Sequence, residues 1–187
     1  MTLGRGGADA DHESQEPVLS DDGRFLAFSS QASNLVARDT NGVRDVLVID
    51  RDPDRDRAFD EGRPAVGRVS VTARGGQVEG RSSAPALSPN GRWVAFETES
   101  ERLSLGTPHS SVILRDRDAD RDRRFDERVG SRTILVSHGR RATADASSWS
   151  PAITPNGGWV AFASNAANLV PRDRNDRFDV FATGPVR

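Results

Sequence analysis

Two stretches of this 187-residue chain carry oxygen ligands at regular spacing. DRDPDRDRAFDE, residues 50–61, returns as DRDADRDRRFDE, residues 116–127, identical at ten of twelve positions. Alternate acids on a tightly turning backbone converge on one point, which suits a hard cation such as Ca²⁺ that takes six to eight oxygens. Numbered from the first acid, positions 1, 3, 5, 7 and 12 are Asp50, Asp52, Asp54, Asp56 and Glu61. The second copy places Asp116, Asp118, Asp120, Asp122 and Glu127 there. A helix-flanked calcium loop uses side chains at 1, 3 and 5, a backbone carbonyl at 7 and a bidentate Glu at 12. These ten residues are therefore the predicted metal ligands, and Ca²⁺ the predicted cofactor.

Position 6 of such a loop is normally Gly, and here it is Arg55 and Arg121. A left-handed backbone there would cost a non-Gly residue roughly 1–2 kcal/mol. The competing reading is a solvated hairpin of alternating charges. The first loop holds six acids against three Arg and the second six against four, and exposed ion pairs are worth only ~0–1 kcal/mol each. Phe59 and Phe125, both at position 10, are candidate anchors. A smaller pattern, Asp39, Asn41 and Asp45, recurs as Asp173, Asn175 and Asp179. It reads either as a second cation site or as Asx turns closing a hairpin.

Catalytic signatures are lacking. His12, His109 and His138 have no metal-ligand spacing, and the many serines include no G-x-S-x-G elbow. No Gly-rich loop has phosphate-binding spacing. All 26 basic residues are Arg, interspersed with 28 acids for a net charge of −2, a poor footprint for nucleic acid. Cysteine is absent, which removes disulfides, thiolate metal sites and thiol nucleophiles. No apolar run approaches the ~20 residues of a membrane span, and the first fifteen residues lack a signal peptide's basic and apolar regions. The expectation is a non-enzyme without nucleic-acid or membrane-inserted partners.

The loops belong to a repeat. PVLSDDGRFLAFSS from Pro17, PALSPNGRWVAFET from Pro85 and PAITPNGGWVAFAS from Pro151 align at spacings of 68 and 66 residues. RFLAF, RWVAF and GWVAF are short apolar runs after an Asp/Asn-Gly turn, which predicts strands. Phe25 and Ala27 should point one way, Leu26 and Phe28 the other, so each strand buries both faces between neighbouring sheets. DVLVID, SVILRD and DVFAT follow as further strands, then RVSVT and TILVS. Four strands per unit, repeated, predict an all-β chain of propeller blades. The acidic loops fall between third and fourth strands, at the rim. Trp93, Trp149 and Trp159 should pack between blades, with Trp149 the best candidate for a surface contact.

The motif P-x-(L/I)-(S/T)-x-(D/N)-G-(R/G)-(F/W)-(L/V)-A-F resembles the TolB-type, WD40-like β-propeller repeat. SNLVARDTNGVRDV resembles a bacterial subgroup of those repeats, found in long and often secreted proteins. Members of that subgroup often carry D-x-D-x-D-G-D-G…F-D-E where the acidic loops lie. The resemblance implies a single propeller region over 1–187, with blades at about 7–72, 76–137 and 141–187, the third incomplete. It further implies a binding scaffold for a protein or glycan, in an exported or periplasmic setting. The alternative it allows is an accessory or gating domain of a larger hydrolase such as a serine peptidase. Three blades fall short of the usual 4–8, so either the chain is a piece of a longer propeller or a homodimer completes the ring.

Overall fold

The computed structural model describes residues 8–59, 64–127, 129–140 and 142–184; Glu61 and the opening MTLGRGG lie outside them. The described chain is all-β. β1 (Ser14–Leu19), β2 (Phe25–Ser30), β3 (Asp45–Asp50) and β4 (Ala65–Arg68) form one antiparallel meander. β5 (Ser82–Leu87), β6 (Trp93–Thr98), β7 (Ser111–Asp116) and β8 (Arg132–Leu135) form a second. β9 (Ser148–Ile153), β10 (Val160–Ser164) and β11 (Asp179–Thr183) form a third, of three strands. These are three successive blades stacked face to face.

Local chemistry repeats in each blade. In the β1–β2 turn, the Ser20 hydroxyl donates to Asp22 and accepts from the Phe25 amide, while Gly23 turns at φ +74°. Ser88, Asn90 and Gly91 do the same in the second blade, and Thr154, Asn156 and Gly157 in the third. Each first strand also bulges, at Glu16, Ala84 and Ser150, all at positive φ. The next residue is Pro17, Pro85 or Pro151. Proline has no amide to give the ladder, so the strand is interrupted where it stands.

The core is two seams between blades. Val18, Phe25, Ala27, Val46 and Val48 of the first blade pack against Leu87, Val94, Phe96, Leu103 and Ile113 of the second. The opposite face of the second, Trp93, Ala95, Val112 and Leu114, packs against Val160, Phe162, Leu169 and Phe181. Leu26, Phe28, Leu35 and Leu47 form a third cluster on the first blade's outer face. The alternation expected of β2 is therefore observed.

An aromatic ring closes each seam by lying on the next blade's turn glycine. A Cβ placed on Gly91 would fall 2.0 Å from the Phe25 ring, and one on Gly157 would fall 2.4 Å from Trp93. Trp93 thus packs between blades as expected. Trp149 lies within β9 and meets Phe178 edge-on at 5.3 Å.

The Asp39–Asn41–Asp45 pattern surrounds an arginine. Arg68 Nη2 lies 2.9 Å from Asp39 and its Nε 3.1 Å from Asp45, with all three side chains buried. Ser70 and Asn41 also donate to Asp45, and Asn41 accepts the Val43 amide in an Asx turn. Burial raises the Asp45 pKa, opposed by Ser70, Arg68 and Asn41. The guanidinium stands where the cation reading would have put a metal ion.

The second blade replaces this network as a unit, with Thr107, Ser111 and Leu135 in place of Asp39, Asp45 and Arg68. Stranding a buried charge costs roughly 3–5 kcal/mol, whereas exchanging a whole ion cluster for apolar and neutral groups is often neutral. Arg68→Leu alone is expected to lose about that much in urea unfolding. The triple variant Asp39→Thr, Asp45→Ser, Arg68→Leu is expected to recover most of it.

Candidate metal centre

The two acidic loops leave β3 and β7 and are built alike. Asp50, at the end of β3, is held bidentately by Arg24, with Nε–Oδ1 at 2.8 Å and Nη2–Oδ2 at 2.6 Å. Asp116 is held the same way by Arg92, both bonds at 2.7 Å. These bonds raise the pKa of each arginine. Both position-1 carboxylates also accept the position-3 amide, from Asp52 and Asp118. They begin the turn and stand in ion pairs apart from the cluster that follows.

That cluster is formed by positions 3, 5 and 7. One carboxylate oxygen from each of Asp52, Asp54 and Asp56 lies within 4.8 Å of the others. Asp118, Asp120 and Asp122 repeat the arrangement. Asp52 and Asp118 are buried while the other four acids are exposed. The Asp52 carboxylate accepts the amides of Asp56 and Arg57 at 3.0 and 3.2 Å, and Asp118 accepts that of Arg123 at 3.1 Å. Asp56 and Asp122 accept the amides of Ala58 and Arg124. Three hard oxygens converging beside exposed backbone suit a divalent ion such as Ca²⁺. Glu127 stands outside this triplet among the described residues; its backbone carbonyl accepts the Ser131 hydroxyl.

The backbone has the shape of a glycine loop without the glycines. Arg55 and Arg121, at position 6, have φ of +65° and +64°; Arg57 and Arg123, at position 8, have +72° and +69°. Positions 6 and 8 are where the resembled loops carry Gly.

Position 2 anchors the loop. The Arg117 guanidinium donates to the Gly91 carbonyl at 2.6 Å and to Asp126 at 2.7 Å, between the rings of Phe25 and Phe125. Phe125 in turn meets Phe25 edge-on at 4.9 Å. Arg51 donates to the Gly23 carbonyl at 2.8 Å and lies over Phe59. The phenylalanines are anchors as expected, and each works with an arginine.

Sequence reasoning missed Arg24 and Arg92, yet the repeats carry a signal for them. The third unit has Gly158 where the others have this Arg, and Gly184 where they have the position-1 Asp. The arginine and the position-1 acid occur together in two units and are replaced together in the third. The two loops also meet, as Arg55 donates to the Arg123 carbonyl. Between them lies a cleft of about 360 Å³, lined in part by Arg24, Arg55, Arg117, Arg123 and Arg124.

No family model matches the chain, and no curated protein does. Solved structures do. The chain is similar in fold to TolB. A TolB structure from Agrobacterium tumefaciens aligns at 22% identity over 89% of this chain and 43% of that one, with a TM-score of 0.46. TolB from Acinetobacter baumannii aligns at 13% identity over 95% of this chain and 31% of that one, with a TM-score of 0.47. Hydrazine synthase from Kuenenia stuttgartiensis aligns at 16% identity over 92% of this chain and 46% of that one, with a TM-score of 0.43. The chain spans less than half the length of each.

A left-handed backbone at a non-glycine residue carries a cost that falls on folding. Glycine relieves roughly 1–2 kcal/mol of left-handed strain and returns ~0.4–1 kcal/mol through the unfolded chain's extra freedom. Arg57→Gly and Arg121→Gly, at exposed side chains, are each expected to stabilise the chain by about 0.5–1 kcal/mol in chemical denaturation. Loss of stability in both would contradict the strain argument.

Proposed function

We propose that this chain is a non-catalytic propeller scaffold that binds a protein or glycan partner, with rim loops ordered by calcium. The observation that carries the calcium reading is the convergence of three carboxylates, twice, at matching positions of two loops. In this reading Asp52, Asp54 and Asp56 hold one ion, and Asp118, Asp120 and Asp122 the other. Asp50 and Asp116 stay with Arg24 and Arg92, where they aim the first turn of each loop. Glu61 and Glu127, at position 12, supply the closing carboxylates. Binding would cross-link a long hairpin that otherwise depends on an arginine and a phenylalanine at its base, coupling loop order to the metal. The neighbouring Arg55, Arg57, Arg121 and Arg123 weaken cation binding by repulsion. An affinity near the 10⁻⁴–10⁻³ M of extracellular calcium modules fits an exported setting.

The scaffold role follows from the same chemistry. Rigid sheets presenting long loops suit recognition by shape and charge.

Thermal melts in EDTA, excess Mg²⁺ and excess Ca²⁺ test the reading. Ca²⁺ at 100 times its dissociation constant should add about 2.7 kcal/mol of stability for each site, about twice that for the two together, and Mg²⁺ little. Asp54→Asn combined with Asp120→Asn, at exposed side chains, should abolish the gain without lowering the EDTA melt. Coincident melts for the unaltered chain would sink the calcium reading.

A further inference from the structure

The cleft between the two acidic loops gathers positive charge in a chain whose net charge is −2. Arg24, Arg55, Arg117, Arg123 and Arg124 line it against two aspartates, Asp50 and Asp126. Both aspartates are already held, Asp50 by Arg24 and Asp126 by Arg117. Arg55 and Arg123 form no ion pair among the described residues, and Arg124 has a loose one, 3.9 Å from the exposed Asp122. Three guanidinium groups thus share this cleft with no carboxylate in its wall left to neutralise them.

The loops are nearly identical, yet they face the cleft with unlike residues. They differ at two of twelve positions, and in each case one member, Pro53 or Arg124, lines the cleft while its counterpart, Ala119 or Ala58, does not. At the left-handed positions the first loop contributes Arg55 and the second Arg123, whereas Arg57 and Arg121 lie outside the lining. Arg55 fixes this facing by donating from one nitrogen to the Arg123 carbonyl, which leaves most of its five N–H groups for another acceptor.

A further guanidinium lies in the same seam. Arg115 stands in the second blade where the first has Ile49. It shares the face of β7 that carries Ile113 into the first seam, and it is 2% exposed. Its two Nη atoms donate to the Thr133 and Ser131 hydroxyls, and its Nε has no partner among the described residues. Burial lowers its pKa, opposed by Asp126, a carboxylate already bound to Arg117.

We propose that this cleft binds a tetrahedral oxyanion, a phosphate or sulfate group carried on a small organic body. Planar guanidinium groups offer paired N–H donors that match such oxygens, and bonds between ionised partners are the strong ones. Val48, Val66 and Phe125 supply an apolar wall for the body that carries the anion. At about 360 Å³ the cleft is near the lower end of ligand pockets, ~300–1,000 Å³, which suits a body the size of one sugar ring. The inference goes beyond the scaffold reading and is independent of calcium, since the six clustered aspartates do not line the cleft.

Isothermal titration calorimetry in EDTA tests it, at an ionic strength of about 0.15 M, where charges beyond ~8 Å are largely screened. Glucose 6-phosphate and glucose 6-sulfate are the probes, and glucose is the neutral control. Saturable binding of at least one ester is expected, with none of glucose, and the tighter ester identifies the source of the anion. Arg123→Gln combined with Arg124→Gln, at exposed side chains, should weaken binding about tenfold or more while leaving the circular dichroism spectrum unaltered. Arg57→Gln combined with Arg121→Gln removes the same charge from the same loops outside the cleft, and should change the affinity by about twofold at most. No saturable binding of either ester, or equal weakening by the two pairs of substitutions, would overturn the proposal.

Discussion

The packing of a turn aromatic onto the glycine of the following blade is the constraint on which the rest depends. A sheet with two apolar faces is stable only between neighbours, and the seam sets their separation. Phe25 on Gly91 and Trp93 on Gly157 permit close approach because the glycines have no Cβ. The same glycines serve the turn, which requires φ near +70°, and the Gly23 and Gly91 carbonyls each accept the arginine that roots an acidic loop. One residue position thus links strand connection, blade packing and loop placement.

That linkage gives the arginines of the acidic loops distinct roles. Arg51 and Arg117 fasten the loops to the turn glycines. Arg24 and Arg92, from outside the loops, fix the first carboxylate. Arg55, Arg57, Arg121 and Arg123 occupy left-handed positions and lower the net charge around the acids. The third blade replaces both members of the pairing that fixes the first carboxylate, with Gly158 for the arginine and Gly184 for the acid.

Much of this was legible in the sequence because it is local. The two-faced apolar runs gave strands, the Asp/Asn-Gly pairs gave turns, and twofold spacing of acids placed three carboxylates together. What escaped reading was pairing between distant residues. Asp50 has the spacing of a ligand, but Arg24, adjacent only through the β2–β3 register, binds its carboxylate. Arg68 reaches Asp39 and Asp45 across β3 and β4, so a motif that reads locally as a cation site or an Asx turn closes around a guanidinium. The bulges had a visible sign in the prolines, though register had to be seen to interpret it.

The most direct test of the seam compares two glycines that share a backbone conformation and differ in surroundings. Gly75 has φ +76° with nothing within 4 Å of an added Cβ, while Gly91 has φ +72° with the Phe25 ring in the way. Urea unfolding of Gly75→Ala should report the left-handed penalty alone, roughly 1–2 kcal/mol. Gly91→Ala should cost a further ~1–3 kcal/mol for overpacking against Phe25. Equal losses at the two positions would contradict the account, because the aromatic would then not be held by the glycine beneath it.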